Sequence, residues 1–213
     1  MGLPRFNAIL LPTLAILIFA APRLAFARNN EPRTFLEIGV VQSTPDFSSS
    51  EANVTNSSST AKVSFAGGLF YEKPLLSWLK LETGGLMASR KFDLTATVNG
   101  TKVGSQNLAT MLEVPLLLRL AFGRVLSLGA GPYYALSVGS RPPGTKTTEY
   151  GYMGSVRLYL SRKMPMGLFL DARASQTASN AATSPNQTLR FRDYMGFVGI
   201  EIPLGASVTK SSD

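Results

Sequence analysis

A two-residue period constrains this chain more than any other feature. Beyond Asn30 no segment longer than about ten residues carries an apolar stripe at helical spacing, and nothing approaches the roughly 20 apolar residues of a transmembrane helix. Alternating segments recur instead, at 34–43, 60–72, 77–90, 108–121, 124–139, 148–161, 166–176 and 188–204. In the fourth, Leu112, Val114, Leu116, Leu118 and Leu120 share one face and oppose Glu113 and Arg119. The sixth sets Tyr150, Tyr152, Val156, Leu158 and Leu160 against Ser155, Arg157 and Tyr159, and the fifth, seventh and eighth follow the same rule. None of these five apolar faces holds a charge over about nine residues, the length a tilted strand needs to cross hydrocarbon.

The connections alternate too. Those at 44–59, 91–107, 140–147 and 177–187 are rich in Ser, Thr, Asn and Gly, whereas Lys73-Pro74-Leu75-Leu76, Phe122-Gly123 and Arg162-Lys163-Met164-Pro165 are short. Short turns on one side and polar loops on the other predict an all-β fold: an eight-stranded antiparallel transmembrane β-barrel, an up-and-down meander with short periplasmic turns and longer extracellular loops. A soluble lipocalin-like barrel would also alternate, but its charged face would meet water and carry many charges. Here the second face mixes a few charges of both signs with Gly, Ser and Ala.

Collected, the inward charges are Glu37, Glu82, Glu113, Asp171 and Glu201 against Lys80, Arg119, Arg157 and Arg173. Unpaired charge in a dry interior costs several kcal/mol, so near-balance predicts a salt-bridge network filling the lumen of a barrel just wide enough for side chains. Pro115 and Pro132 each delete a ladder hydrogen bond, and a bulge at each is the expected accommodation.

Composition excludes much chemistry. With no histidine and no cysteine there is no Ser/His/Asp triad, cysteine nucleophile, histidine zinc site or disulfide, and histidine-dependent outer-membrane deacylases and phospholipases are excluded with them. No P-loop, dinucleotide fingerprint or metal-ligand cluster appears, so no catalytic residue, metal or cofactor is expected. The bases are dispersed without a stripe of interleaved aromatics, which argues against nucleic acid. Matches to Asn-x-Ser/Thr at Asn53, Asn56, Asn99 and Asn186 are the chance product of Ser/Thr/Asn-rich loops.

Residues 1–27 read as a signal peptide: Arg5 in a positive leader, an apolar run from Ala8 to Ala20, and Ala25-Phe26-Ala27 as a small-x-small cleavage site. Removing Arg5 and Arg23 takes the formal charge from +8 to +6. The predicted organisation is then a periplasmic lead at 28–33, a barrel at 34–204 and a tail at 205–213. Tyr71, Trp78, Tyr134, Tyr150, Tyr152 and Tyr194 fall near strand ends, as interfacial girdles do. Bases gather at the predicted outer rim, and Arg90, Lys91, Arg190 and Arg192 are candidate contacts for the phosphates of lipopolysaccharide.

Two stretches carry a resemblance. Met111-Leu-Glu-Val-Pro-Leu-Leu-Leu-Arg-Leu120 and Leu128-Gly-Ala-Gly-Pro-Tyr-Tyr134 look like the middle of the PorT-like outer-membrane β-barrel family, in which both prolines are family features. The layout is also similar to small eight-stranded barrels of the outer-membrane protein A and X type. Phe197-Val-Gly199-Ile-Glu-Ile202-Pro-Leu204 is similar to the C-terminal signal read by the barrel assembly machinery, with Leu in place of the usual Phe and nine residues following. The resemblance implies an outer-membrane location and fold; the expected partners are outer-membrane lipid and lipopolysaccharide, the barrel assembly machinery during biogenesis, and an unidentified envelope protein. The expected role is structural or interactive, through the extracellular loops; the alternative is a small-molecule binding or transport module, as a narrow channel or a soluble carrier.

Overall fold

A computed structural model of the chain describes residues 32–50, 54–123, 125–139, 141–161 and 167–203. The proposed signal peptide, most of the lead, the Arg162–Pro165 turn and the C-terminal tail lie outside the described residues. Eight strands follow one another: β1 Arg33–Ser49, β2 Val54–Pro74, β3 Leu79–Val98, β4 Thr101–Phe122, β5 Leu126–Ser137, β6 Thr148–Ser161, β7 Gly167–Thr177 and β8 Gln187–Pro203. Each pairs antiparallel with the next, and β1 closes on β8 from Arg33↔Pro203 to Ser49↔Gln187.

Burial follows the strand parity, with polarity reversed from that of a soluble barrel. Ile38, Val63, Phe65, Leu116, Leu118, Val156, Leu158, Leu170 and Val198 point outward and are exposed, Phe65 by 78%. Glu37, Glu82, Glu113, Arg119, Arg157, Asp171 and Arg173 point inward and are buried. Tyr71 and Trp78 sit on the exterior at the terminal end of the barrel, where β1 begins and β8 ends, and Tyr134, Tyr150, Tyr152 and Tyr194 on the exterior toward the other. From Tyr152 to Leu160 the outward residues of β6 are uncharged, which at ~3.3 Å per residue and a tilt of ~40° gives a band about 20 Å tall.

Two expectations change. The connections read at 44–59 and 91–107 are mostly strand: β1, β2, β3 and β4 run well past the sequence-based limits, and β3 turns into β4 through Asn99-Gly100 alone. Both turn residues have positive φ, 49° and 80°, the geometry of a two-residue hairpin turn for which Asn-Gly is the favoured pair. Polar composition there signalled a loop, but the Thr/Val-rich alternation on either side of Asn-Gly is a hairpin pattern. The bulges expected at Pro115 and Pro132 are also missing. The pairing skips Gly84-Gly85 beside Val114-Pro115, and Leu116-Leu117 beside Gly131-Pro132, yet the register on either side is unchanged. Register shifts occur instead in β2–β3 and β6–β7.

Candidate functional site

The lumen holds two charged clusters, stacked along the barrel axis. In the cluster nearer the start of β1 and the end of β8, three guanidiniums from β4, β6 and β7 converge on four carboxylates, three of them from β1, β2 and β3 across a narrow interior and the fourth, Asp171, from β7 itself. Arg119 Nε donates to Glu82 Oε2 at 2.6 Å and its Nη2 to Asp171 Oδ2 at 3.1 Å. Arg157 Nη2 reaches Glu82 and Asp171, both at 2.8 Å, and lies 3.9 Å from Glu37, while its Nη1 is 3.7 Å from Glu72. Arg173 Nη2 pairs with Glu37 at 2.7 Å, Asp171 at 3.2 Å and Glu82 at 3.3 Å. Lys80 Nζ donates to Glu72 at 2.5 Å.

Hydroxyls and rings complete this cluster. Arg119 also donates to Ser127 Oγ at 3.0 Å and Ser155 Oγ at 2.5 Å. The Arg157 guanidinium lies 4.2 Å from the Phe35 ring centroid and 4.7 Å from that of Phe169; Arg173 stacks over Phe70 at 4.1 Å. Ring faces attract cations, so the phenylalanines give desolvated guanidiniums a second compensation besides the carboxylates. Gly199 makes room for this packing, since a Cβ there would run into the Phe169 ring. At the terminal end Arg33 pairs with Glu201.

The second cluster is built on one cation. Arg90 donates to Glu113 at 2.9 Å, Glu149 at 2.7 Å and Asp193 at 3.0 Å, gathering β4, β6 and β8 around β3. Its guanidinium lies 4.8 Å from the Phe191 ring centroid. Glu113 Oε2 and Asp193 Oδ1 are buried with no hydrogen-bond partner among the described residues. Phe92, Ala181, Ala182, Leu189 and Phe191 close the lumen above it, with Phe47 and Leu94 packed alongside. The 178–186 segment is pinned over this lid: Lys146 N donates to Ala181 O at 2.7 Å and Thr183 N to Gly144 O at 2.8 Å. Asn180 Oδ1 accepts from Ala182 N and Leu189 N, at 3.0 and 2.9 Å. The space left beside Arg90, Glu149 and Phe191 is about 10 Å³, room for one water molecule.

All nine residues expected in the lumen network are buried there: Glu37, Lys80, Glu82, Glu113, Arg119, Arg157, Asp171, Arg173 and Glu201. Arg90 is a correction. The expectation of a phosphate contact at the outer rim fails for it, because it is buried at the centre of the second cluster. Parity would have placed it, since Lys80, Glu82 and Arg90 are separated by even numbers. Lys91, Arg190 and Arg192 do lie exposed on the exterior. Glu72, Glu149 and Asp193 were missing from the predicted network; Glu72 shares the parity of Phe70, Glu149 that of Arg157, and Asp193 faces inward opposite Ser43 and Ser175.

No family model matches this chain, and no curated protein matches it. Among solved structures it is similar to the outer membrane protein OprG from Pseudomonas aeruginosa, with a TM-score of 0.50 and 14% identity over 81% of this chain and 97% of that one. It also matches Ail, the attachment invasion locus protein of Yersinia pestis, with a TM-score of 0.41 and 13% identity over 81% and 99% of the two chains. The translocator domain of the autotransporter NalP from Neisseria meningitidis gives 0.35 and 11%, over 92% and 95%. At this identity the likeness to OprG shows the fold: the chain is a closed eight-stranded antiparallel barrel like a bacterial outer-membrane barrel.

Proposed function

We propose that the chain is a bacterial outer-membrane protein whose filled barrel anchors it in the membrane, and that it serves the cell envelope as a structural or interaction element through the segments beyond the tyrosine girdle. The carrying observation is the inverted burial: Leu, Val and Ile on the exterior, ion pairs inside. An exterior of this kind is stable in hydrocarbon and unstable in water, which disfavours a soluble carrier. The lid of Phe92, Leu189 and Phe191 and the crossed guanidiniums below it disfavour an open channel. A PorT-like origin is proposed on the sequence motifs at Met111–Leu120 and Leu128–Tyr134 alone, which β4 and β5 carry.

Refolded protein is expected to insert into vesicles, to migrate faster before boiling than after it, and to give no stable large conductance in planar bilayers. A reproducible large single-channel conductance from pure protein would sink the filled-lumen part of the proposal. Lys91, Arg190 and Arg192 are the proposed contacts for lipopolysaccharide phosphates, with Tyr152 and Tyr194 exposed near Arg192. Replacing Arg190 and Arg192 by Ser is expected to weaken lipopolysaccharide binding and leave folding yield unchanged.

A further inference from the structure

The strands are of very unequal length. β5 stops at Ser137, opposite Met111, and Val138 N donates to Thr110 O at 3.0 Å; from there to Thr101, β4 pairs with β3 alone. That ladder runs from Leu86↔Glu113 to Val98↔Thr101 without a register shift. In an antiparallel ladder successive residues aim their N–H and C=O at opposite edges. The Thr110 carbonyl aims at β5, so the main-chain groups of Leu108, Gln106, Gly104 and Lys102 aim the same way, and they meet no strand among the described residues. The opposite margin of this finger is guarded: β2 has two register shifts, and Ser59 Oγ donates to Pro45 O at 2.6 Å. The β4 edge has no proline and no bulge, and its one charge is Lys102. Bare edges of this length are templates for another strand.

We infer that this edge pairs antiparallel with the same edge of a second copy standing in a facing membrane, about a two-fold axis at Ser105. The inference rests on the chain spanning a membrane, because the membrane fixes strand direction. β4 descends from its outer tip toward the bilayer. A copy in the same membrane also presents a descending β4, and a two-fold axis along the membrane normal sets N–H against N–H. A copy in a facing membrane presents β4 reversed, which is the antiparallel relation. Centred on Ser105, Lys102 faces Leu108 and Gly104 faces Gln106, so every open main-chain group finds a partner and Lys102 meets no second cation. A register displaced by two residues either way leaves one of the four residues unpaired on each copy.

The chain has no cysteine, so Ser105→Cys introduces a single one. Around the axis Ser105 faces its own copy in a non-hydrogen-bonded pair, the closer kind, while the two Lys102 residues stand roughly 20 Å apart. Two proteoliposome populations, their protein carrying different affinity tags, are mixed under mild oxidation. Ser105→Cys is expected to give disulfide dimers containing both tags. The yield should fall about tenfold with Lys102→Cys in its place, or when Gln106→Pro is added. Gln106→Pro removes an N–H aimed at the open edge and takes no bond from β3, so the barrel survives it. Heat-modifiable migration checks that survival; its loss in the unmutated protein would overturn the membrane reading beneath the inference. With the barrel intact, an absence of dimers, dimers of one tag only, equal yields from the two cysteines, or indifference to Gln106→Pro would each overturn the inference itself.

Discussion

The two charged clusters of the lumen solve one problem with different margins. Nearer the termini, Lys80, Arg119, Arg157 and Arg173 meet Glu37, Glu72, Glu82 and Asp171, four cations for four anions. Beneath the lid, Arg90 alone meets Glu113, Glu149 and Asp193. In the first cluster carboxylates are shared, since Glu82 touches Arg119, Arg157 and Arg173 and so keeps two partners when it loses one. In the second no partner can be spared. Desolvating an ion costs several kcal/mol and is recovered only through its partners, so redundancy, rather than the number of bonds, decides what a single substitution does.

The sharpest way to break the comparison is therefore Arg90→Met. It strands three buried carboxylates, and a loss of about 3–5 kcal/mol is expected, seen in denaturant titrations of the refolded barrel. That loss should shrink in acid, because protonating the stranded carboxylates removes their mutual repulsion. A flat pH response would mean that water already screens this cluster. Arg157→Met is the matching change in the balanced cluster. Arg157 has more partners than Arg90 and lies against the Phe35 and Phe169 rings, yet a smaller loss of about 2 kcal/mol is expected, because Arg119 and Arg173 remain on Glu82 and Asp171. Equal losses for the two variants would refute the argument from redundancy.

Legibility in the sequence was uneven for physical reasons. The period of two decides which face a residue takes, so strand order, closure and the nine inward charges could be read from alternation alone. Strand length could not, because composition stops discriminating where both faces meet water. Thr, Ser and Asn beyond the apolar band are compatible with loop and with solvated strand, and only the turn at Asn99-Gly100 distinguishes them. The misplacement of Arg90 follows from that boundary. Once β3 is taken to end near residue 90, a terminal arginine looks solvated, although continued alternation through Leu86, Ala88 and Phe92 carries it inside. The acid excess beneath the lid follows from the same alternation, since Asp193 shares the inward parity of Glu201 in the eighth segment and Glu149 that of Arg157 in the sixth.

The mildest test lies at the margin of the balanced cluster, where Lys80 and Glu72 pair at 2.5 Å. Among the described residues Lys80 has no other carboxylate within ion-pair range, and Glu72 otherwise reaches only Arg157, at 3.7 Å. Taking away the lysine alone, as Lys80→Met, leaves Glu72 in a dry site with one distant partner, and about 1–3 kcal/mol of destabilisation is expected. Removing both charges, as Lys80→Met with Glu72→Met, takes the desolvation cost away along with the attraction and should return stability to within about 1 kcal/mol of the starting protein. The balance of the remaining network is unchanged by that double substitution, three cations facing three anions. Should the double variant instead lose as much as Lys80→Met alone, the pair would be a net source of stability, and neutrality alone would not account for the tolerance of the lower lumen.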